Sequence, residues 1–114
     1  MNHEMNLKEV YFDKIKSGEK TYEIRLNDEK RKLIKIGDII VFKRQPEFKE
    51  SIKTVVNDLF YFNSFTEMIN SLPIEKVGFK GKTLKEIVNI YHQIYSEENE
   101  KKYGVLAIKI EVVH

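Results

Sequence analysis

The chain has 114 residues, of which 41% are hydrophobic and 11% aromatic; that is enough to build one globular domain, residues 1–114, and too apolar for a disordered tail. It contains no cysteine, which excludes a disulfide framework and thiolate chemistry. The net charge of +2 conceals an asymmetry: residues 14–53 hold 12 Lys and Arg against 7 Asp and Glu, a basic segment that attracts a polyanion or merely keeps a lysine-rich surface soluble.

In chain order, "MNHEMNLKEV" has neither the basic nor the apolar region of a signal peptide, and no apolar run approaches the ~20 residues that span a bilayer. The expectation is a cytoplasmic protein with no membrane association. "LKEVYFDKIK", residues 7–16, places Leu7, Val10, Tyr11 and Ile15 at helical spacing, which predicts a short amphipathic helix. Ser17–Gly18 ends it, with Lys14 and Lys16 opposing its negative end. Residues 21–26 alternate with period two and predict a strand. "LNDEKRKL" is a polar connection. Gly37–Asp38 turn the chain into a mostly buried strand, Ile39 to Phe42. "SIKTVVNDLFYF", residues 51–62, is a third strand, rich in β-branched and aromatic residues.

Ser64-Phe-Thr-Glu67 is a capping-box pattern that opens a helix with Phe65, Met68 and Ile69 inward; Leu72–Pro73 closes it. "VGFKGK" reads as loop. Thr83-Leu-Lys-Glu86 is a second such pattern. It opens the clearest helix, whose stripe of Leu84, Ile87, Val88, Tyr91, Ile94 and Tyr95 reads as core. "SEENEKKYG" is a helical turn or loop, and residues 103–113 form a last strand. Helices do not regularly separate the strands, which points to an α+β domain: a small mixed sheet or barrel with helices outside.

No phosphate loop, dinucleotide fingerprint or protease signature is present, and no cofactor is expected. His3, His92 and His114 show no ligand spacing, so no metal site is expected; His92 falls on the polar side of its helix and His3 in a terminal segment. The unusual stretch is "GEKTYEIRLNDEKR", residues 18–31. Thr21, Glu23 and Arg25 share one strand face, and Tyr22, Ile24 and Leu26 the other. Glu23 and Arg25, two apart, are placed to pair with each other. An Arg held by a carboxylate presents its planar donors to a phosphate or a base edge. Lys20, between a helix-ending glycine and a strand, becomes a base or nucleophile if desolvation lowers its pKa. Lys30, Arg31 and Lys32 read as a solvated turn or as phosphate contacts. On chemistry alone, the whole stretch also reads as a solvated edge strand with an ordinary ion pair.

"GEKTYEIRLNDEKRKLIKIGDIIVF" resembles the ASCH domain, the activating-signal-cointegrator homology family of PUA-like β-barrels. The family pattern is a helix, then Gly-x-Lys-Thr-x-Glu-x-Arg, a polar connection and a Gly-Asp turn into an apolar strand. Here those are Gly18, Lys20, Thr21, Glu23, Arg25 and Gly37–Asp38. "SFTEMI" and "YSEENEKKYGVLAIKI" look like bacterial single-domain members. The resemblance implies a partly open β-barrel with helices around it, and a cleft lined by the Lys-Thr-x-Glu-x-Arg strand. The role it implies is binding of RNA or a nucleotide-like small molecule by Lys20, Thr21, Glu23, Arg25, Lys30 and Arg31. One branch looks like an amidohydrolase of N4-acetylcytidine with a catalytic Lys, a Thr three residues later and a distant Glu. Lys20 matches the Lys; position 23 is Glu, and the distant Glu falls near Lys80. In that alternative Lys20 is catalytic and Glu23 carries the proton. A protein-interaction module, with the Lys20–Arg25 face solvated, is the third reading.

Overall fold

The structure, a computed structural model, describes residues 1–114. Five strands form one mixed sheet: β1 (Asn2–Leu7), β2 (Tyr22–Leu26), β3 (Ile39–Arg44), β4 (Ser51–Phe62) and β5 (Val105–Val112). Their spatial order is β1-β3-β4-β5-β2, with β1 parallel to β3 and every other pair antiparallel. The sheet curls into a half-barrel and stays open, because β1 and β2 lie at its two edges and do not pair. A register shift between Val56 and Asp58 of β4 interrupts its ladder with β5, the kind of irregularity that bends a strand.

The expected third strand and the two capping patterns match the structure. Ser64 caps α2 (Phe65–Ser71) by accepting from the Glu67 N–H, and Phe65, Met68 and Ile69 are its buried residues. The Glu67 carboxylate reaches the N–H of Asn63, one residue before the box position. Thr83 and Glu86 complete a reciprocal box at the start of α4 (Leu84–His92). Two further short helices are α3 (Ile74–Val77), which ends where the expected loop begins, and α5 (Glu97–Tyr103), which Ser96 caps and which takes the helical alternative expected there.

The first helix is corrected. α1 spans Glu9–Ser17 and buries Phe12 and Ile15, while Val10 is exposed and Leu7 ends β1. The helical spacing of Leu7, Val10 and Tyr11 therefore mixed two elements. β1 escaped notice because an edge strand buries one face only: Met5 and Leu7 alternate with exposed polar residues, and its backbone partners come from distant β3.

The core has two parts. On one face of the sheet, Phe12 and Ile15 of α1 meet Ile40, Phe42, Val56, Leu106 and Ile108. On the other face, α2 and α4 pack Phe65, Met68, Ile87 and Tyr91 against Tyr22, Ile24, Leu26 and Ala107. β5 is buried on both faces, as the uninterrupted "VLAI" requires. β2 alternates: Tyr22, Ile24 and Leu26 face the helices, so Glu23 and Arg25 face the other way.

Asp38 locks the turn before β3. Its Oδ2 accepts the Lys35 N–H at 3.0 Å and bonds His3 Nε2 of β1 at 2.8 Å. The His3 bond first, and then the Lys35 N–H, lower its pKa to about 2. A carboxyl depressed in the folded state stabilises above its unfolded pKa of about 4 and loses that contribution as pH falls towards 2. Urea unfolding of the parent should therefore lose stability between pH 5 and pH 2 more steeply than unfolding of Asp38→Asn. Parallel slopes would show that Asp38 contributes nothing.

Candidate site at the open edge of the sheet

Gly18 takes the left-handed conformation that ends α1, and its N–H bonds the Ile15 carbonyl. The chain then doubles back: the Lys20 N–H reaches the Lys14 carbonyl and the Thr21 N–H the Lys76 carbonyl. This reversal drives the Lys20 side chain inward, where it is only 4% exposed. Its Nζ donates to the carbonyls of Tyr22 and Val77 and lies 3.2 Å from Glu23 Oε1. An ammonium has three hydrogens, and all three have an acceptor. Gly78 makes room for the stem, since a Cβ there would sit 3.1 Å from Lys20 Cδ and the glycine holds φ +102°.

Glu23 is 5% exposed and held from both sides. Oε1 faces Lys20, and Oε2 accepts from Arg25 Nε at 2.7 Å. Arg25 in turn donates from its NH2 to the Asn6 carbonyl of β1 at 3.1 Å. The guanidinium thus bridges the two edges that the sheet leaves unpaired. Two of its five donors are engaged, and the others remain for a ligand. Burial lowers the pKa of Lys20 against the attraction of Glu23. Burial would raise Glu23, but Lys20 and Arg25 outweigh it and hold the carboxyl below its usual range. Glu23 is therefore an anchored, ionised acceptor at neutral pH.

These groups form part of the wall of a cavity of about 230 Å³ at the open edge. Asn6, Leu7 and Lys8 bound it on one side, and Tyr11, Phe79, Tyr91 and Tyr95 supply aromatic walls. Those rings brace one another: Phe79 meets Tyr11 and Tyr91 edge-on, and Phe65 stacks on Tyr91 at 4.5 Å and on Tyr95 at 5.7 Å. Tyr91 is 6% exposed. Burial and then the charge of Glu23 raise its pKa well above 10, and Tyr11 shifts the same way for the same reasons. The Tyr91 hydroxyl forms no hydrogen bond within the protein, although its ring lines the cavity.

The candidate residues divide. Lys20, Glu23 and Arg25 come together in the cavity. Thr21 lies outside it, its N–H and carbonyl bonded to Lys76 and Ile110. Lys30 is exposed. Arg31 is half-buried and its Nε lacks a partner; burial and then the charge of Arg25 lower its pKa, so the two guanidiniums share one electrostatic neighbourhood. His92 is not on a free polar face: it bonds Glu100 at 2.7 Å, and Glu100 also accepts the Phe65 N–H. No group of three or more His, Asp or Glu is placed to hold a metal ion. Tyr11, Phe79, Tyr91 and Tyr95 were not legible as site residues. The available signal was a hydroxyl inside an apolar stripe, where phenylalanine would serve a core equally well.

A family model described as the ASCH domain matches residues 5–114. No match is found among curated proteins. The crystal structure of the hypothetical protein PH0355 is 46% identical, covers 99% of this chain and 100% of its own, and superposes with a TM-score of 0.89. Protein PF0455 from Pyrococcus furiosus, solved by solution NMR, is 41% identical over 100% of this chain and 99% of its own, with a TM-score of 0.81. An ASCH domain from Lactobacillus crispatus is 15% identical over 97% of this chain and 79% of its own, and its TM-score of 0.63 shows a shared fold. The Pyrococcus furiosus relative is archaeal, so the expectation of a bacterial member gains no support.

Two substitutions separate the groups that hold the fold from those that only line the cavity. Lys20→Met leaves Glu23 buried without its ammonium partner, a loss of about 3–5 kcal/mol for a broken buried pair. Tyr91→Phe removes a hydroxyl with no partner in the protein, and should stay within about 0.5 kcal/mol of the parent. Urea unfolding of both variants checks this; equal losses would mean that Tyr91 has a structural bond or that Lys20 does not hold Glu23.

Proposed function

The chain belongs to the ASCH domain family, and on that footing we propose that it binds one unpaired nucleobase, carried by RNA or a nucleotide, in the cavity at the open edge. The observation that carries this reading is the buried Lys20–Glu23–Arg25 chain beneath aromatic walls. At about 230 Å³ the cavity falls below the roughly 300–1,000 Å³ of sites for drug-sized ligands, which suits a single base and not a duplex. Aromatic rings are the usual partners of splayed-out bases, whose edges are then read by hydrogen bonds. Glu23 accepts from a base N–H, and the free donors of Arg25 serve a ring acceptor or a phosphate. Two cations against one carboxylate leave the floor positive, which favours an anionic ligand. Arg31, which shares the electrostatic neighbourhood of Arg25, and the exposed Lys30 next to it in sequence add phosphate attraction. A cytoplasmic location accords with such a ligand, and no helix is long and apolar enough to cross a membrane.

Hydrolysis of an N4-acylated cytidine would use the same cavity, and the burial that lowers the Lys20 pKa favours an amine. Its nitrogen would first have to release the Tyr22 and Val77 carbonyls, so binding is the better supported reading. A surface serving protein contact alone gives no reason to bury an ionised Glu23.

Titration with the four nucleoside monophosphates tests the proposal. Arg25→Lys should weaken binding about ten-fold, because an ammonium cannot hold Glu23 and offer a planar fork together. Lys32→Arg, in the solvated turn, should bind like the parent. Absence of binding by any monophosphate or RNA at low salt would refute the reading, as would unchanged affinity in an Arg25→Lys variant that melts like the parent.

A further inference from the structure

A second hollow lies beyond the cavity, and nothing above uses it. Asn27, Tyr61, Glu67, Lys101, Lys102 and Tyr103 line it. Arg25 pairs with Leu106 of β5, and Leu106 pairs with Tyr61 of β4. Residues directly opposite across neighbouring strands share a face, so Tyr61 stands in the same row as Arg25. Two strand spacings of roughly 4.8 Å put the backbones about 10 Å apart. Asn27 follows β2 and bonds the Gly104 carbonyl through its N–H, which ties this hollow to the end of the cavity strand.

Its chemistry is that of a strand-binding surface. Tyr61 is 61% exposed, unusual for a large aromatic on a sheet whose other aromatics are largely covered. Lys102 lies 5.1 Å from the centre of the Tyr103 ring. Neither Lys101 nor Lys102 forms an ion pair, although other lysines do. The acid of the hollow, Glu67, is turned to the Asn63 N–H. Single strands are held by this combination of an aromatic platform and unpaired cations.

We propose that this hollow takes the nucleotide adjacent to the one whose base enters the cavity, so that the partner is a single-stranded RNA chain. The proposal rests on the base-binding reading of the cavity and extends it. Tyr61 stacks the second base, and Lys101 with Lys102 meets its phosphate.

Nucleoside monophosphates and a mixed-sequence hexaribonucleotide test it by titration on the intact protein. The hexamer should bind at least about ten-fold more tightly than any monophosphate, in line with one further base stack. Tyr61→Ala should remove most of that advantage and leave monophosphate affinity unchanged; the exposed position makes misfolding an unimportant complication, and a melting curve verifies it. The Lys101→Ala/Lys102→Ala double variant should lower the salt slope of hexamer binding by roughly 0.7 per lost phosphate contact. Monophosphate binding with no hexamer advantage, or a Tyr61→Ala variant that keeps the full advantage, would overturn the second subsite and leave the cavity reading standing. No binding by either ligand would overturn both.

Discussion

The carboxylate of Glu23 is the constraint around which this edge of the fold is arranged. An ionised group at that depth is costly unless it is paired and hydrogen-bonded. Here each oxygen has a cationic partner, Lys20 on one side and Arg25 on the other. Each partner reaches further: Lys20 ties in the carbonyls of Tyr22 and Val77, and Arg25 that of Asn6. One carboxylate therefore couples the turn after α1, the end of α3, strand β2 and the far edge strand β1. Its position also explains the glycine at 78, which lets the Lys20 stem pass.

The cavity exists because the sheet does not close. Where β1 and β2 fail to pair, both edges offer backbone groups, and helix side chains lie opposite. A closed ladder would fill this space with backbone hydrogen bonds. Instead one guanidinium spans the gap and keeps part of its donor set free. The opening is a mixed environment, apolar on the α4 side and ionic on the β2 side, which is the pairing that a planar heterocycle with polar edges requires.

Much of the fold was legible, for reasons that can be named. β4 announced itself by twelve residues rich in β-branched and aromatic side chains, and α2 and α4 by caps that satisfy their first N–H groups locally. β1 was not legible, because parallel pairing to β3 is nonlocal and a half-buried edge needs only two apolar residues. The site was half visible. The two-residue spacing of Glu23 and Arg25 showed that they could pair, and the alternation of β2 showed that they share a face. Their depth was not readable, since it comes from the sheet's curl and from α3 closing over Lys20. The tyrosines were read as core, and Tyr91 is core by burial; what spacing could not disclose is that its hydroxyl ends in a cavity and not against an acceptor.

The two parts of the proposed surface differ physically in a way that follows from their burial. In the cavity, Glu23 and Arg25 act through short bonds in a water-poor setting, where added salt screens little. At the outer hollow, Lys101 and Lys102 stand in solvent, where ionic strength governs their attraction for phosphate. On the proposed reading, base recognition and chain capture are thus separable on one small domain. A single sheet places them side by side, because the row from Arg25 through Leu106 to Tyr61 runs from the edge strand β2 across β5 to an exposed side chain on the central strand β4.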